Sequence, residues 1–393
     1  MSRPLHIVAD AHIWGIASLC EALSGYDVRA DIVEQSEITP ARVQACDILL
    51  TRSSTQVGAP LLTDSRVRFA GTATIGDDHY DKAWLEQHGI CWANAAGSST
   101  DSVVEYILAA LLQLHAQQRI TLPHCTLGII GAGRIGGQLA QICRALGLRV
   151  LVNDPPRARR EGAAPFCTLE QLLDEADLLT LHTPRITSGE DCTIHLLNDQ
   201  NLPRFRGNGV INSGRGACVD NRALQQWLDG DRQRRFAVLD CWEHEPAPDP
   251  RLLHHPGMVI ATPHIAGHSI DGKAANSLYI YRALCRFLQI ESSWSIEPML
   301  PPATPCTIEH RGDAWQTLLR VSELLYPIMR DHQQMRSWPT TPASALVESF
   351  THFRRHYPVR RSWSRTPVTI LQGDDNLLRL MEICGIHAVP KSQ

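Results

Sequence analysis

From residue 5 onward, short apolar runs alternate with stretches whose apolar residues recur every three or four positions. "LHIVAD", "CDILLTRS", "VRFAGTAT" and "ICWANAAG" are of the first kind, and "WGIASLCEAL" and "DKAWLEQHG" of the second. Short apolar runs bounded by turn residues read as buried strands, and the periodic stretches read as helices covering a parallel sheet. Residues 1–97 are therefore expected to form one such unit. Ser99, Thr100 and Asp101 supply N-cap side chains for a long apolar helix over 101–117.

A second alternation starts at Cys125 with "TLGIIGAGRIGGQLAQICRALG", "LRVLVND", "LEQLLDEA", "DLLTLHTP", "GVINSGRG", "NRALQQWLDG", "RFAVLDCW" and "MVIATPHIAG". It predicts a doubly wound nucleotide-binding unit over 98–265. The helical pattern at 270–289 is expected to return to the first unit, giving that domain residues 1–97 and 266–289. "EPMLPPATPC" has the texture of a linker. Residues 290–393 are accordingly assigned to a linker and a small domain with the helical run "AWQTLLRVSELLYPIMRDHQQM" and the basic run "FRRHYPVRRSWSR", whose expected role is homodimerisation. The fold class expected is α/β, with two doubly wound parallel-sheet domains, flavodoxin-like and Rossmann, and a small C-terminal α+β domain.

Composition narrows the partners. A net charge of -4 over 393 residues gives no broad basic field, so nucleic acid is not expected as a partner. The most apolar helical run, "VVEYILAALLQL", contains Glu105 and is shorter than the ~20 residues a bilayer needs, and no signal segment precedes the first strand. Twelve cysteines without a C-x-x-C pair read as reduced thiols. A cytoplasmic protein is the expectation.

"GIIGAGRIGG" places Gly131, Gly133 and Gly136 in a G-x-G-x-x-G turn between a strand and a helix, with Asp154 at the end of the next strand. This spacing suits a dinucleotide: pyrophosphate at the helix N-terminus, a carboxylate on the adenosine ribose, and thus NAD over NADP, although Arg157, Arg159 and Arg160 lie close by. Three further strand ends carry chemistry. "INSGRG" offers Arg215, whose fork suits a carboxylate; "VLDCWEHEP" offers Asp240, Glu243 and Glu245; "TPHIAG" offers His264. An alcohol oxidation needs a proton acceptor and a carboxylate to orient it, and strand parity alone leaves Glu243 and Glu245 as equal choices. Metal binding by His264 and His268 is not expected, because Gly267 and the preceding strand argue for a loop. Cys192 and His195 of "DCTIH" read as structural.

In this order and spacing, "GAGRIG", "INSGRG", "VLDCWEHEP" and "TPHIAG" resemble the D-isomer-specific 2-hydroxyacid dehydrogenases. "TRSST", "FAGTATIGDDHYD", "AAGSSTDSVVEYILAALL", "NDPPRA" and the tail resemble the branch that oxidises 4-phospho-D-erythronate in pyridoxal 5'-phosphate biosynthesis. The resemblance implies Arg215, Glu245 and His264 as catalytic residues, with Glu245 chosen because the family's glutamate precedes a proline. It implies Asp154, Thr183, Ser213, Asp240 and Gly267 beside the glycine turn as NAD contacts, and Ser53, Thr74 and His268 as substrate contacts in a cleft between the first two domains. Arg52 is added here as a cation suited to a phosphate. His268 stands where that branch has tyrosine, "DAHIW" replaces its Asp-Glu-Asn run, and Asp77 replaces a small polar residue. The alternatives are a dehydrogenase of glycerate or phosphoglycerate and an inactive NAD-sensing binding protein.

Overall fold

The computed structural model describes residues 3–391. The chain divides into two compact units. One comprises the residues up to Ser99 together with Ser269–Pro302; the other comprises Thr100–His268 together with the residues from Ala303 onward.

The first unit holds strands β1 (Arg3–Asp10), β2 (Tyr26–Val33), β3 (Ile48–Thr51), β4 (Phe69–Thr72) and β5 (Cys91–Asn94), all parallel in the order β2-β1-β3-β4-β5. That is the flavodoxin-like order. The helix Ile270–Leu288 packs on this sheet. Its Ile280, Tyr281 and Leu284 share a core with Phe69 and Leu50. The close fit is visible at Gly71, where a Cβ would stand 2.8 Å from Ile280 Cγ2.

The second unit holds β6 (Thr126–Ile130), β7 (Arg149–Asn153), β8 (Leu178–Leu181), β9 (Gly209–Asn212), β10 (Phe236–Leu239) and β11 (Met258–Ala261), again parallel, in the order β11-β10-β9-β8-β6-β7. Beside β7, Cys167 donates its N–H to Val152 O at 2.7 Å, and its carbonyl accepts from Asn153 Nδ2. Counted as a strand one ladder bond long, this segment completes the order of the dinucleotide-binding fold. A carrier so short leaves no apolar run, so the sequence pattern does not reveal it.

A third sheet, β12 (Cys306–Glu309), β13 (Val368–Leu371) and β14 (Ala388–Lys391), is parallel throughout. The expected α+β character is thereby sharpened, because parallel strands need crossovers and the helices of this segment supply them. The single helical run expected over 314–335 is two helices, Ala314–Leu325 and Ile328–Arg336. Pro327 has no N–H to donate and ends the first.

This segment belongs to the same compact unit as the nucleotide-binding sheet. Leu318, Val321 and Tyr326 lie in one core with Tyr106, Ile107 and Leu111 of the helix Thr100–Ala116. Burial of each such aliphatic side chain is worth about 1.5–3 kcal/mol. Two polar contacts fix the register of the docking. Arg360 Nη1 donates to Glu105 Oε2 at 2.8 Å with both side chains almost fully buried, and Trp363 N donates to Glu105 Oε1 at 2.7 Å. His332 Nδ1 accepts from Ala261 N at 3.0 Å, capping an N–H at the end of edge strand β11. Burial brings the His332 ring down to about 4, so it remains neutral and able to accept.

Candidate active site

Strands β9, β10 and β11 are neighbours, so their carboxyl ends open side by side. Arg215 follows β9, Glu245 follows β10 and His264 follows β11; ligands of such sheets bind at these ends. His264 adopts a left-handed backbone, φ 56°, which a non-glycine residue holds only when its surroundings enforce it. The enforcing group is Asp240. Its carbonyl accepts from His264 N at 2.7 Å. Its fully buried carboxylate accepts from Thr262 Oγ1 and Ile265 N at 2.8 Å and from Ala266 N at 3.0 Å. Trp242 Nε1 adds a bond to Thr262 O, and Tyr106 OH meets Thr262 Oγ1 at 2.7 Å. The loop that carries His264 is therefore clamped on both sides. Burial raises the Asp240 carboxyl above its usual range, against the pull of His264 and of the three bonds.

The His264 ring is held in turn. Its Nδ1 lies 2.6 Å from Glu245 Oε1, and Glu245 Oε2 accepts from Trp242 N at 3.2 Å. Burial disfavours the charge on Glu245, but His264 outweighs it, with a further contribution from Arg354, and the carboxyl stays below its usual range. An ionised Glu245 on Nδ1 leaves Nε2 as the proton-accepting nitrogen of a neutral ring. Both side chains are 28% exposed, enough for a small molecule to reach the ring.

Arg215 starts the tight turn after β9, with its Nη1 donating to Gly214 O at 2.9 Å and its carbonyl accepting from Asn212 Nδ2. Gly216 beside it has no room for a side chain, since a Cβ would stand 1.9 Å from Trp242 O. The turn of Arg215 is thus pressed against the turn of Glu245.

Glu243, left open beside Glu245 by strand parity, has a histidine of its own. Its Oε1 bonds His195 Nε2, and its Oε2 accepts from Asn221 N at 3.0 Å. His195 also lies 3.8 Å from Asp220. His195, expected to be structural with nothing converging on it, in fact meets Glu243 and Asp220, and this convergence left no trace in the sequence. The two rings of "TPHIAGHS" part as well. His264 meets Glu245, whereas His268 lies edge-on to Tyr357 with centroids 5.8 Å apart. No group of three metal-ligating side chains occurs among the described residues.

The glycine turn fits a dinucleotide. Gly131 has φ 90°, and a Cβ on Gly136 would stand 1.9 Å from Gly131 O, so strand and helix approach only because both are glycine. Gly133 is exposed, with nothing within 4 Å of where its Cβ would be, and the helix Arg134–Ala145 begins there without a side-chain cap. Free N–H groups at a helix start with open space before them suit a pyrophosphate. Asp154 at the end of β7 accepts from Ala132 N at 2.8 Å and from Arg157 N at 3.0 Å, and each oxygen keeps a lone pair. The neighbouring arginines are occupied: Arg157 and Arg160 pair with Glu161, and Arg159 with Glu190 and Asp191. Thr183 and Ser213 flank the same edge, bonded to Cys218 Sγ and to the His182 ring, which burial brings down to about 3. Gly267 is half-buried in the His264 loop.

In the first unit, Arg52 and Ser53 follow β3 and Thr74 lies just beyond β4, at the carboxyl edge of that sheet. Ser53 is exposed; the Thr74 hydroxyl meets Thr72 Oγ1 at 2.7 Å and donates to Gly76 O at 2.9 Å. Asp77, a departure from the resembled pattern, ties Lys82 to Asn94 within that unit.

Residues 110–266 match the family model of the D-isomer specific 2-hydroxyacid dehydrogenase NAD binding domain. Erythronate-4-phosphate dehydrogenase of Pseudomonas fluorescens is 41% identical, over 88% of this chain and 91% of its own. That of Edwardsiella ictaluri is 40% identical over 94% and 96%. Among solved structures, the D-lactate dehydrogenase of Aquifex aeolicus complexed with NAD and lactic acid shares the fold, with TM-score 0.59 and 22% identity over 72% of this chain and 95% of its own. So does the NAD-bound 3-phosphoglycerate dehydrogenase of Entamoeba histolytica, with TM-score 0.61 and 19% identity over 73% and 96%. The Rossmann unit is an NAD-binding domain, and the chain belongs to the erythronate-4-phosphate dehydrogenase family of the D-isomer-specific 2-hydroxyacid dehydrogenases.

Proposed function

We propose that the protein oxidises 4-phospho-D-erythronate at C2 to (R)-3-hydroxy-2-oxo-4-phosphooxybutanoate, in the cytoplasm and as a homodimer, as a step of pyridoxal 5'-phosphate synthesis. The observation that carries this reading is the His264–Glu245 pair beside Arg215 in a chain whose relatives of that name match it over about nine-tenths of its length. Bound NAD supplies the acceptor for the hydride that leaves C2. The Arg215 guanidinium holds the substrate carboxylate and so fixes C2. His264 Nε2 takes the C2 hydroxyl proton, and Glu245 stabilises the imidazolium that forms. The glycine turn and Asp154 would hold pyrophosphate and ribose, and Thr183, Ser213, Asp240 and Gly267 are the proposed residues of the dinucleotide cleft. Ser53, Thr74, His268 and Arg52 are the proposed substrate contacts. That no helix among the described residues is long and apolar enough to cross a membrane, and that all twelve cysteines are free, accords with the proposed location.

The test is turnover of 4-phospho-D-erythronate with NAD, beside D-glycerate and 3-phospho-D-glycerate. A preference of tenfold or more for the first, about 1.4 kcal/mol in transition-state binding, is expected. Preference for either of the others would move the protein to another branch of the superfamily, and turnover of none would favour an NAD-sensing binding protein. Light scattering that gives the mass of a single chain at micromolar concentration would remove the homodimer from the proposal.

A further inference from the structure

The helix Ala343–Arg355 presents Leu346, Phe350 and Arg354 at successive four-residue intervals, hence on one stripe. Leu346 and Phe350 are buried in the core that contains Trp242, Met335 and Trp338. Trp242 is the residue whose backbone N–H holds Glu245. Arg354 continues the stripe beyond Phe350, its guanidinium 5.9 Å from that ring, and its Nε is buried without a hydrogen-bond partner. No carboxylate among the described residues lies within ion-pair distance of it. Three residues further on, Tyr357 packs against His268 while its hydroxyl donates to Asp331 at 2.7 Å, so the segment 354–357 borders the loop of His264 and offers no free phenol there.

Arg354 as a whole is only partly buried, but its Nε is shut away from water without an acceptor, and a desolvated donor of this kind is costly unless an anion meets the guanidinium. Glu245 does not meet the need. Its two oxygens serve His264 and Trp242, yet the Arg354 charge is near enough to help keep it ionised and to act on the Cys241 thiol. The site thus has a second cation besides Arg215, with an unused donor.

We infer that Arg354 determines specificity by binding the phosphate at the far end of the substrate while Arg215 takes the carboxylate next to C2. The inference rests on the proposed phosphorylated substrate and adds the residue that recognises it. A planar guanidinium is matched to phosphate oxygens, and a charge-assisted bond of this kind is worth one to two powers of ten in binding.

The experiment compares kcat/KM for 4-phospho-D-erythronate and for D-erythronate in the full-length wild type, Arg354→Ala and Arg354→Lys, with melting temperatures as a check on folding. Arg354→Ala is expected to lower the preference for the phosphorylated acid by about 10- to 100-fold, mostly through KM, and Arg354→Lys to restore part of it. Inorganic phosphate is the second probe: its competitive inhibition constant should rise by a similar factor in Arg354→Ala. Equal losses on both acids with a displaced pH profile would overturn the inference, because Arg354 would then act only through Glu245. Unchanged phosphate inhibition would also overturn it. Should the wild type not prefer the phosphorylated acid, the proposed function falls, while phosphate inhibition of wild type against Arg354→Ala still decides whether Arg354 binds a phosphoryl group.

Discussion

Two histidine–glutamate pairs arise from the four residues "EHEP", and they differ in almost everything but composition. His264 meets Glu245 and His195 meets Glu243, and both histidines hold left-handed backbones, with φ 56° and 49°. His264 sits at the mouth of adjacent strands, its loop clamped by the buried Asp240 and its partner next to the turn of Arg215. His195 sits on a connecting segment, its N–H bonded to Ala217 O, its ring 41% exposed, and its glutamate engaged with Asn221 N. The same two residue types thus stand in two different settings, and only the first pair is proposed to be catalytic. What separates the two is the company: the turn of Arg215 beside the first pair, and a loop hydrogen-bonded to the buried Asp240 beneath it.

The comparison breaks most visibly if the wrong ring is removed. His264→Asn is expected to lower kcat by about 10²- to 10⁴-fold with NAD binding retained, whereas His195→Asn should lose less than about tenfold. Steady-state kinetics with a cofactor-binding titration checks both. The glutamates should follow, with Glu245→Gln losing about 10²-fold in kcat because the ring is no longer oriented, and Glu243→Gln staying within a few-fold. Glu243→Gln should instead show in denaturant unfolding, at about 1–2 kcal/mol for the weakened bonds to His195 and Asn221 N–H.

The smallest expected effect sharpens the contrast through acid stability. Glu245 has its carboxyl lowered in the folded protein, so its stabilisation is present above the unfolded carboxylate range and disappears as pH falls through the lower folded value. Glu245→Gln should flatten that part of the stability–pH curve. An unaltered curve would mean that Glu245 is not ionised against His264.

Most of the scaffold was legible because it is written in period and punctuation. Both sheets, the returning helix and the glycine turn follow from alternating apolar runs and from glycines whose substitution leaves no room, as at Gly136 and Gly216. Arg215, Glu245 and His264 were legible as strand-end residues, and the choice of Glu245 came through resemblance. What stayed hidden depends on contacts between distant segments. The Cys167 edge is a single ladder bond, and the His195–Glu243 pair joins residues 48 apart in sequence. Asp240, singled out as a cofactor residue, has three of its four lone pairs committed to the His264 loop, which no spacing rule foretells. The tail was read as a separate body, yet Glu105 binds Arg360 and the Ala261 N–H is capped by His332, because buried polar groups find partners wherever the chain brings them.

The most direct measurement of the central claim is the pH dependence of kcat/KM for the oxidation in wild type, His264→Asn and His195→Asn. If the His264–Glu245 pair carries the proton, wild type and His195→Asn lose about tenfold per pH unit as the imidazole takes up a proton, and the residual rate of His264→Asn shows no such limb. A limb that persists in His264→Asn and vanishes in His195→Asn would assign the chemistry to the other pair and contradict the account.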